Sequence, residues 1–187
     1  VGRILDALEA TGKADNTYIF FTADHGLAVG HHGLIGKQNM YDHSVRVPLM
    51  VTGPGIAKNK RITSPVYLQD IMATSLELAG IDKPGHVQFK SLMPLIKGRA
   101  KRNYDAIYGG YIDLQRMISA DGYKMIYYPK IDKTLLYNLK ADPLEMSNIA
   151  DDPGNARVIR KLKRKLKKLQ KEVGDKLDLD SPPKPKA

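Results

Sequence analysis

The chain has 187 residues, 42% of them hydrophobic, enough to bury a core in one compact domain or in one domain with a small satellite. Zero cysteines exclude disulfide staples, thiolate metal ligands and a cysteine-derived nucleophile, and no apolar run reaches the length that spans a bilayer. The net charge of +10 invites a polyanionic partner, but nine basic residues and no acidic one fall within 157–171, and the remainder is near neutral.

Residues 1–10 read as a helix, with Ile4, Leu5 and Leu8 at helical spacing and Gly12 as its C-terminal stop. The pattern reads as though entered in mid-element, so residues upstream are expected. The run Tyr18, Ile19, Phe20, Phe21 is apolar on both faces, the signature of a buried parallel strand, and a second such strand is expected at 47–51 before the turn Gly53-Pro54-Gly55. Residues 24–39 between them are rich in glycine and histidine, too irregular for helix or strand and too long for an idle connection. A helix at 70–79 closed by Gly80 completes an α/β alternation.

From about residue 99 the pattern changes to short antiparallel strands at 106–108, 116–119, 123–128 and 135–139. Asp121-Gly122 is hairpin chemistry, because that pair tolerates positive φ. Asp152-Pro153 supplies an N-cap and an N1 proline for a last helix, on which Val158, Leu162, Leu166, Leu169 and Val173 form one apolar stripe. The stripe implies docking, and a basic face that recruits a polyanion is the alternative; nucleic acid is not expected. A disordered tail is expected at 179–187.

Chemistry is expected at Asp24-His25-Gly26, directly beyond the first strand, where open α/β sheets bind ligands. Asp24 offers carboxylate oxygens and His25 an imidazole nitrogen to a divalent cation, and Gly26 permits close backbone approach. An Asx turn beside an incidental histidine is the plainer reading of the same tripeptide. Thirteen residues beyond Asp24, Lys37 can bring an ammonium group onto a bound anion and stabilise charge on a leaving oxygen, or be a solvated surface lysine. His31 and His32 are candidate substrate contacts or proton donors, against polar loop packing. His43 is a candidate anion contact, and Arg46 reads as a brace.

Thr17-Tyr18-Ile19-Phe20-Phe21-Thr22-Ala23-Asp24-His25-Gly26, then Gly30-His31-His32-Gly33, Gly36-Lys37 and Tyr41-Asp42-His43-Ser44-Val45-Arg46-Val47-Pro48-Leu49, resemble the C-terminal half of the sulfatases in the alkaline-phosphatase superfamily. The resemblance continues through Gly53-Pro54-Gly55, Ala79-Gly80-Ile81 and Leu136-Tyr137-Asn138-Leu139-Lys140-Ala141-Asp142-Pro143-Leu144-Glu145. It implies an α/β fold: part of an alkaline-phosphatase-like domain with a mixed, mostly parallel sheet at 1–98, then a small subdomain of antiparallel strands and helix at 99–178. It also implies a divalent cation, calcium first with manganese or zinc as alternatives, on Asp24 and His25, and a sulfate contact from Lys37.

In that family the nucleophile is a formylglycine inside a motif upstream of this half, and two further aspartates also lie near the N-terminus. The resemblance therefore implies a parent enzyme that hydrolyses sulfate esters of small molecules or polysaccharides, completed by an N-terminal part, periplasmic or secreted, with this chain inactive alone. A phosphodiesterase or phosphonate monoester hydrolase of the same superfamily is the nearest rival reading, and a non-catalytic anion-binding module a further one.

Overall fold

The computed structural model describes residues 1–181, which form two compact units. The first comprises residues 1–24 and 48–103, the second residues 25–47 and 104 onward. The sequence places its boundary near residue 98 and leaves 25–47 with the N-terminal part; the structure groups that loop with the C-terminal strands instead.

In the first unit, helix α1 (Gly2–Ala10) ends at Thr11, with Gly12 at φ 68° as the left-handed residue that closes it. Strands β1 (Ile19–Thr22) and β2 (Leu49–Thr52) pair with each other antiparallel, Phe20 opposite Val51. This corrects the expectation of two parallel, doubly buried strands: Phe21 and Met50 are exposed. Hydrophobic periodicity registers which faces are apolar, not the direction in which a long connection returns.

In chain order the short helix α2 (Asp42–Val45) belongs to the second unit, and helix α3 (Asp70–Leu78) of the first matches its sequence signal. The fully buried Asp70 accepts from the backbone N–H groups of Tyr67 and Lys90, both at 3.1 Å. Thr74, one turn on, accepts from the N–H of Leu92 at 2.9 Å. Two polar side chains of α3 thereby satisfy the segment leading to helix α4 (Met93–Ile96), so that Leu92, Met93 and Leu95 pack inside.

The second unit is built on a four-stranded antiparallel meander, β3 (Ile107–Tyr111), β4 (Gln115–Ala120), β5 (Tyr123–Tyr128) and β6 (Lys133–Asn138). Asp121 and Gly122 join β4 to β5 at φ 55° and 82°, as the Asp-Gly pair predicts. Both faces of the sheet are covered. On one face Ile118, Met125 and Leu136 line up across three strands and pack against Leu162 and Leu166 of helix α5 (Ala156–Glu172). On the other, Met117, Ile126 and Tyr137 receive Met40 and Tyr41 from the loop 25–47.

Asp152 caps the turn before α5 by accepting from the N–H of Gly154 at 2.8 Å. The expected stripe holds through Leu169, but Val173 lies past the last helical residue and is 45% exposed. Two lysines on the basic face converge on one acid, Lys161 and Lys165 reaching Asp121 at 2.9 and 2.8 Å. The expected tail is ordered at its start, since Leu179 packs on the α5 core and Asp180 pairs with Lys167; residues 182–187 lie outside the described residues. Among the described residues no helix is long and apolar enough to cross a membrane.

Two electrostatic clasps tie this unit together. Lys124 on β5 is 1% exposed and meets the carboxylate of Asp42 and, at 2.6 Å, that of Glu145, itself 2% exposed. Glu145 also accepts from the N–H of Asp42 at 2.6 Å, so the three residues close a triangle at the start of helix α2 (Asp42–Val45). In the other clasp Arg116 grips Asp175 with Nε at 2.5 Å and Nη2 at 3.1 Å, and Tyr108 donates to the same carboxylate. The hydrogen bonds from Arg116 hold the Asp175 carboxyl far below its ordinary range, and burial, then the bond to Asp175, pushes the Tyr108 phenol up.

Lys124→Ala leaves Glu145 buried without its cation, and a loss of about 3–5 kcal/mol is expected in urea unfolding. A change below about 1 kcal/mol contradicts the burial of the triangle. For Asp175 the folded carboxyl loses its proton more readily than the unfolded one, so its contribution is present above the unfolded pKa and lost as pH falls through the folded one. Asp175→Asn is expected to cost about 1.5–3 kcal/mol at pH 7 and to flatten the fall in stability below about pH 4. Parallel acid titrations of both proteins would contradict this by showing the same slope.

Candidate functional site

The loop between β1 and β2 carries the residues singled out by sequence, and the structure sorts them into groups. Asp24, exposed, ends the first segment of the first unit, and the chain passes into the second unit at His25. The half-buried His25 has Nδ1 at 2.9 Å from the carbonyl oxygen of Gly26, while its Nε2 meets the ammonium group of Lys37. A carbonyl only accepts, so the proton is assigned to Nδ1, and the Nε2 lone pair accepts from Lys37. That tautomer, fixed by a backbone oxygen, is the form in which an imidazole Nε2 also ligates a cation.

Local backbone geometry makes this pairing possible. The N–H of Ala28 donates to the carbonyl of Gly36 and that of Gly30 to Leu34, both at 2.8 Å, folding 28–36 into a narrow finger. Val29, Gly30, His32 and Gly33 at its tip all have positive φ. Gly26 is required by proximity: its N–H donates to the carbonyl of Ser44 at 2.9 Å, and a Cβ there would lie 2.0 Å from the carbonyl oxygen of His43. The residue after His25 is thus fastened to α2.

His31, His32 and His43 form a second group, with ring centroids 5.6 to 5.8 Å apart. His32 stacks on Tyr41 at 4.1 Å and 13°, and the Tyr41 hydroxyl lies 3.4 Å from that of Tyr137. Burial first, then the charges of His32, His31 and Lys124, hold the His43 pKa below the ordinary imidazole value, with Asp42 opposing. Arg46, the extended residue just past the short helix α2, lies 3.3 Å from Asp42.

The sequence reading did not single out Lys124 and Glu145, nor give Tyr41 and Asp42 a role, although these four position the loop. A signal existed for two of them. Lys124 is the one charged side chain in the β5 run Tyr123-Lys124-Met125-Ile126-Tyr127-Tyr128, and a lysine inside such a run demands a buried partner. Glu145 closes a turn at φ 59° just after Pro143.

Chemically, the first group presents a flexible ammonium beside an imidazole lone pair. This suits an anion whose oxygens also contact a cation. The second presents three imidazoles and no carboxylate.

A sequence model of the family described as N-sulphoglucosamine sulphohydrolase, C-terminal, matches residues 30–172. The N-acetylglucosamine-6-O-sulfatase of Bacteroides thetaiotaomicron is 32% identical over 188 residues, covering 94% of this chain and 34% of that protein. The choline-sulfatase of Rhizobium meliloti is 36% identical over 160 residues, covering 82% and 31%. The chain therefore spans about a third of the length of the curated relatives it matches.

Among solved structures, one in complex with its substrate D-glucosamine-2-N,6-O-disulfate superposes with a TM-score of 0.81 at 29% identity, over 96% of this chain and 39% of that one. The phosphonate monoester hydrolase of Agrobacterium radiobacter superposes with 0.79 at 27%, over 91% and 38%. The α/β architecture with its antiparallel C-terminal subdomain is that of these hydrolases, and with residues 30–172 matched to the C-terminal region of a sulphohydrolase, the chain belongs to the sulfatase family.

Proposed function

We propose that the protein carrying this chain hydrolyses sulfate esters, with Asp24 and His25 as part of a divalent-cation site and Lys37 as a sulfate contact. The observation that supports it most is the Lys37 ammonium on Nε2 of a His25 whose Nδ1 is committed to Gly26. Asp24 and His25, consecutive in the chain, combine a hard oxygen with an imidazole nitrogen, a donor pair that fits calcium, manganese or zinc once the Lys37 ammonium leaves Nε2 for the bound anion. A cation bound there draws charge from the sulfate oxygens and makes the sulfur a better electrophile.

Lys37 reaches in from an exposed position, offers hydrogen bonds to the non-bridging oxygens and offsets charge growing on the leaving oxygen. Gly26 keeps His25 on α2, so the imidazole presents one edge to the ligand. His31, His32 and His43, candidates for proton donation or anion contact, face one another and Tyr41, and receive no proton-transfer role. The attacking nucleophile is assigned to a formylglycine outside these 187 residues, and turnover by the chain alone is not expected.

A sulfated saccharide is the proposed substrate class, supported by the N-acetylglucosamine-6-O-sulfatase relative and by the glucosamine disulfate in the neighbouring structure. An exported location is part of the same reading. A Drosophila melanogaster relative named an extracellular sulfatase is 39% identical over 100 residues, 53% of this chain and 9% of that protein. Polyanion recruitment by α5 is not adopted, because Lys161 and Lys165 are already engaged by Asp121.

The deciding assay compares glucosamine 6-sulfate, an aryl sulfate, a phosphodiester and a phosphonate monoester on the full-length enzyme. Sulfate esters are expected to lead, with Lys37→Ala lowering kcat/KM by about 10²–10³-fold. A preference of several orders of magnitude for the phosphorus esters would transfer the chain's parent to the phosphonate hydrolase branch.

A further inference from the structure

The three-histidine group contains an unmet chemical demand. Each of His31, His32 and His43 offers one ring nitrogen, and these nitrogens lie within 4.8 Å of one another. Nε2 of His32 and Nε2 of His43 are buried without a hydrogen-bond partner among the described residues. Buried polar atoms are ordinarily satisfied, and in the tautomers that leave lone pairs on the grouped nitrogens one cation satisfies them together.

The donor set selects the ion. Three neutral nitrogens suit zinc and its transition-metal neighbours, whereas calcium and magnesium require oxygen ligands. The nearest carboxylate in sequence, Asp42, is held by Lys124 and Arg46. The surroundings are also built as a ligand site needs: His32 is braced by its stack on Tyr41, and His43 sits on α2 behind the Gly26 contact. His31 is exposed and supplies the entry side.

We propose that His31, His32 and His43 form a transition-metal site, with zinc the fitting ion, that pins the tip of the finger to α2. Tetrahedral zinc at about 2.0–2.1 Å from each nitrogen sets the nitrogens about 3.4 Å apart. Binding therefore draws the rings together by up to about 1.4 Å, a movement within reach of the exposed His31 ring. A fourth position faces solvent and takes water.

The test is calorimetric titration of the purified chain with zinc chloride, repeated with cobalt(II), whose visible bands report nitrogen ligation in low-symmetry sites. One equivalent bound at micromolar affinity or tighter is expected, with visible cobalt bands. His31→Ala, at an exposed position, is expected to weaken zinc at least 100-fold and abolish the bands, with an unchanged circular dichroism spectrum. His43→Gln, which retains most of the side-chain volume, is expected to do the same. Asp24→Asn is expected to leave zinc binding intact, which keeps this site separable from the cation site proposed on Asp24 and His25. Absence of zinc binding overturns the proposal, as does binding that survives both histidine substitutions or is lost with Asp24→Asn.

Discussion

Lys124 brings an ammonium group into the interior of the second unit, a placement tolerated only where carboxylates surround it. Those carboxylates come from far along the chain: Asp42 lies 82 residues before Lys124, and Glu145 accepts the backbone N–H of Asp42 across 103 residues. The triangle does more than neutralise charge. It fixes the first residue of α2, and from α2 hang the Ser44 carbonyl that receives Gly26, the His43 ring, and Tyr41 with its stack on His32. The position of His25, and through it the Lys37 ammonium, depends on that anchor.

Two classes of metal donor therefore sit on one loop. Asp24 and His25 combine a hard oxygen with a nitrogen, and Lys37 beside them supplies positive charge for an anion. His31, His32 and His43 are softer donors, and two of them, His32 and His43, are partly withdrawn from water and stacked on Tyr41. Burial and mutual repulsion hold His43 toward its neutral form, whereas Lys37 remains in solvent. The same loop thus divides into a charged portion and an aromatic one.

What was legible from sequence follows from the range of the interactions concerned. The meander and α5 are governed by local rules, namely two-residue alternation, an Asp-Gly turn, and an Asp-Pro start with an apolar stripe, and they appear within a residue or a few of where those rules put them. The direct contact of Lys37 with His25 was not legible, because the finger that joins them rests on positive φ at Val29 and His32, which no turn motif in the sequence announces. The antiparallel return of β2 and the Lys124 triangle arise from contacts between remote segments, which no window along the chain contains. Even so, a lone lysine amid Tyr123, Met125 and Ile126 announced that a distant carboxylate had to exist.

The chain changes allegiance at three peptide bonds, Asp24–His25, Val47–Pro48 and Asn103–Tyr104, and the first two bracket the loop that carries the site. Recombination between sulfatase relatives meets this as a constraint. A crossover that exchanges residues 25–47 alone imports a loop whose counter-charge at position 124 and carboxylate at position 145 belong to the recipient, so the loop keeps its anchor only where those two positions match Asp42. Segments that look modular when cut by sequence position are, in this chain, interleaved along the sequence.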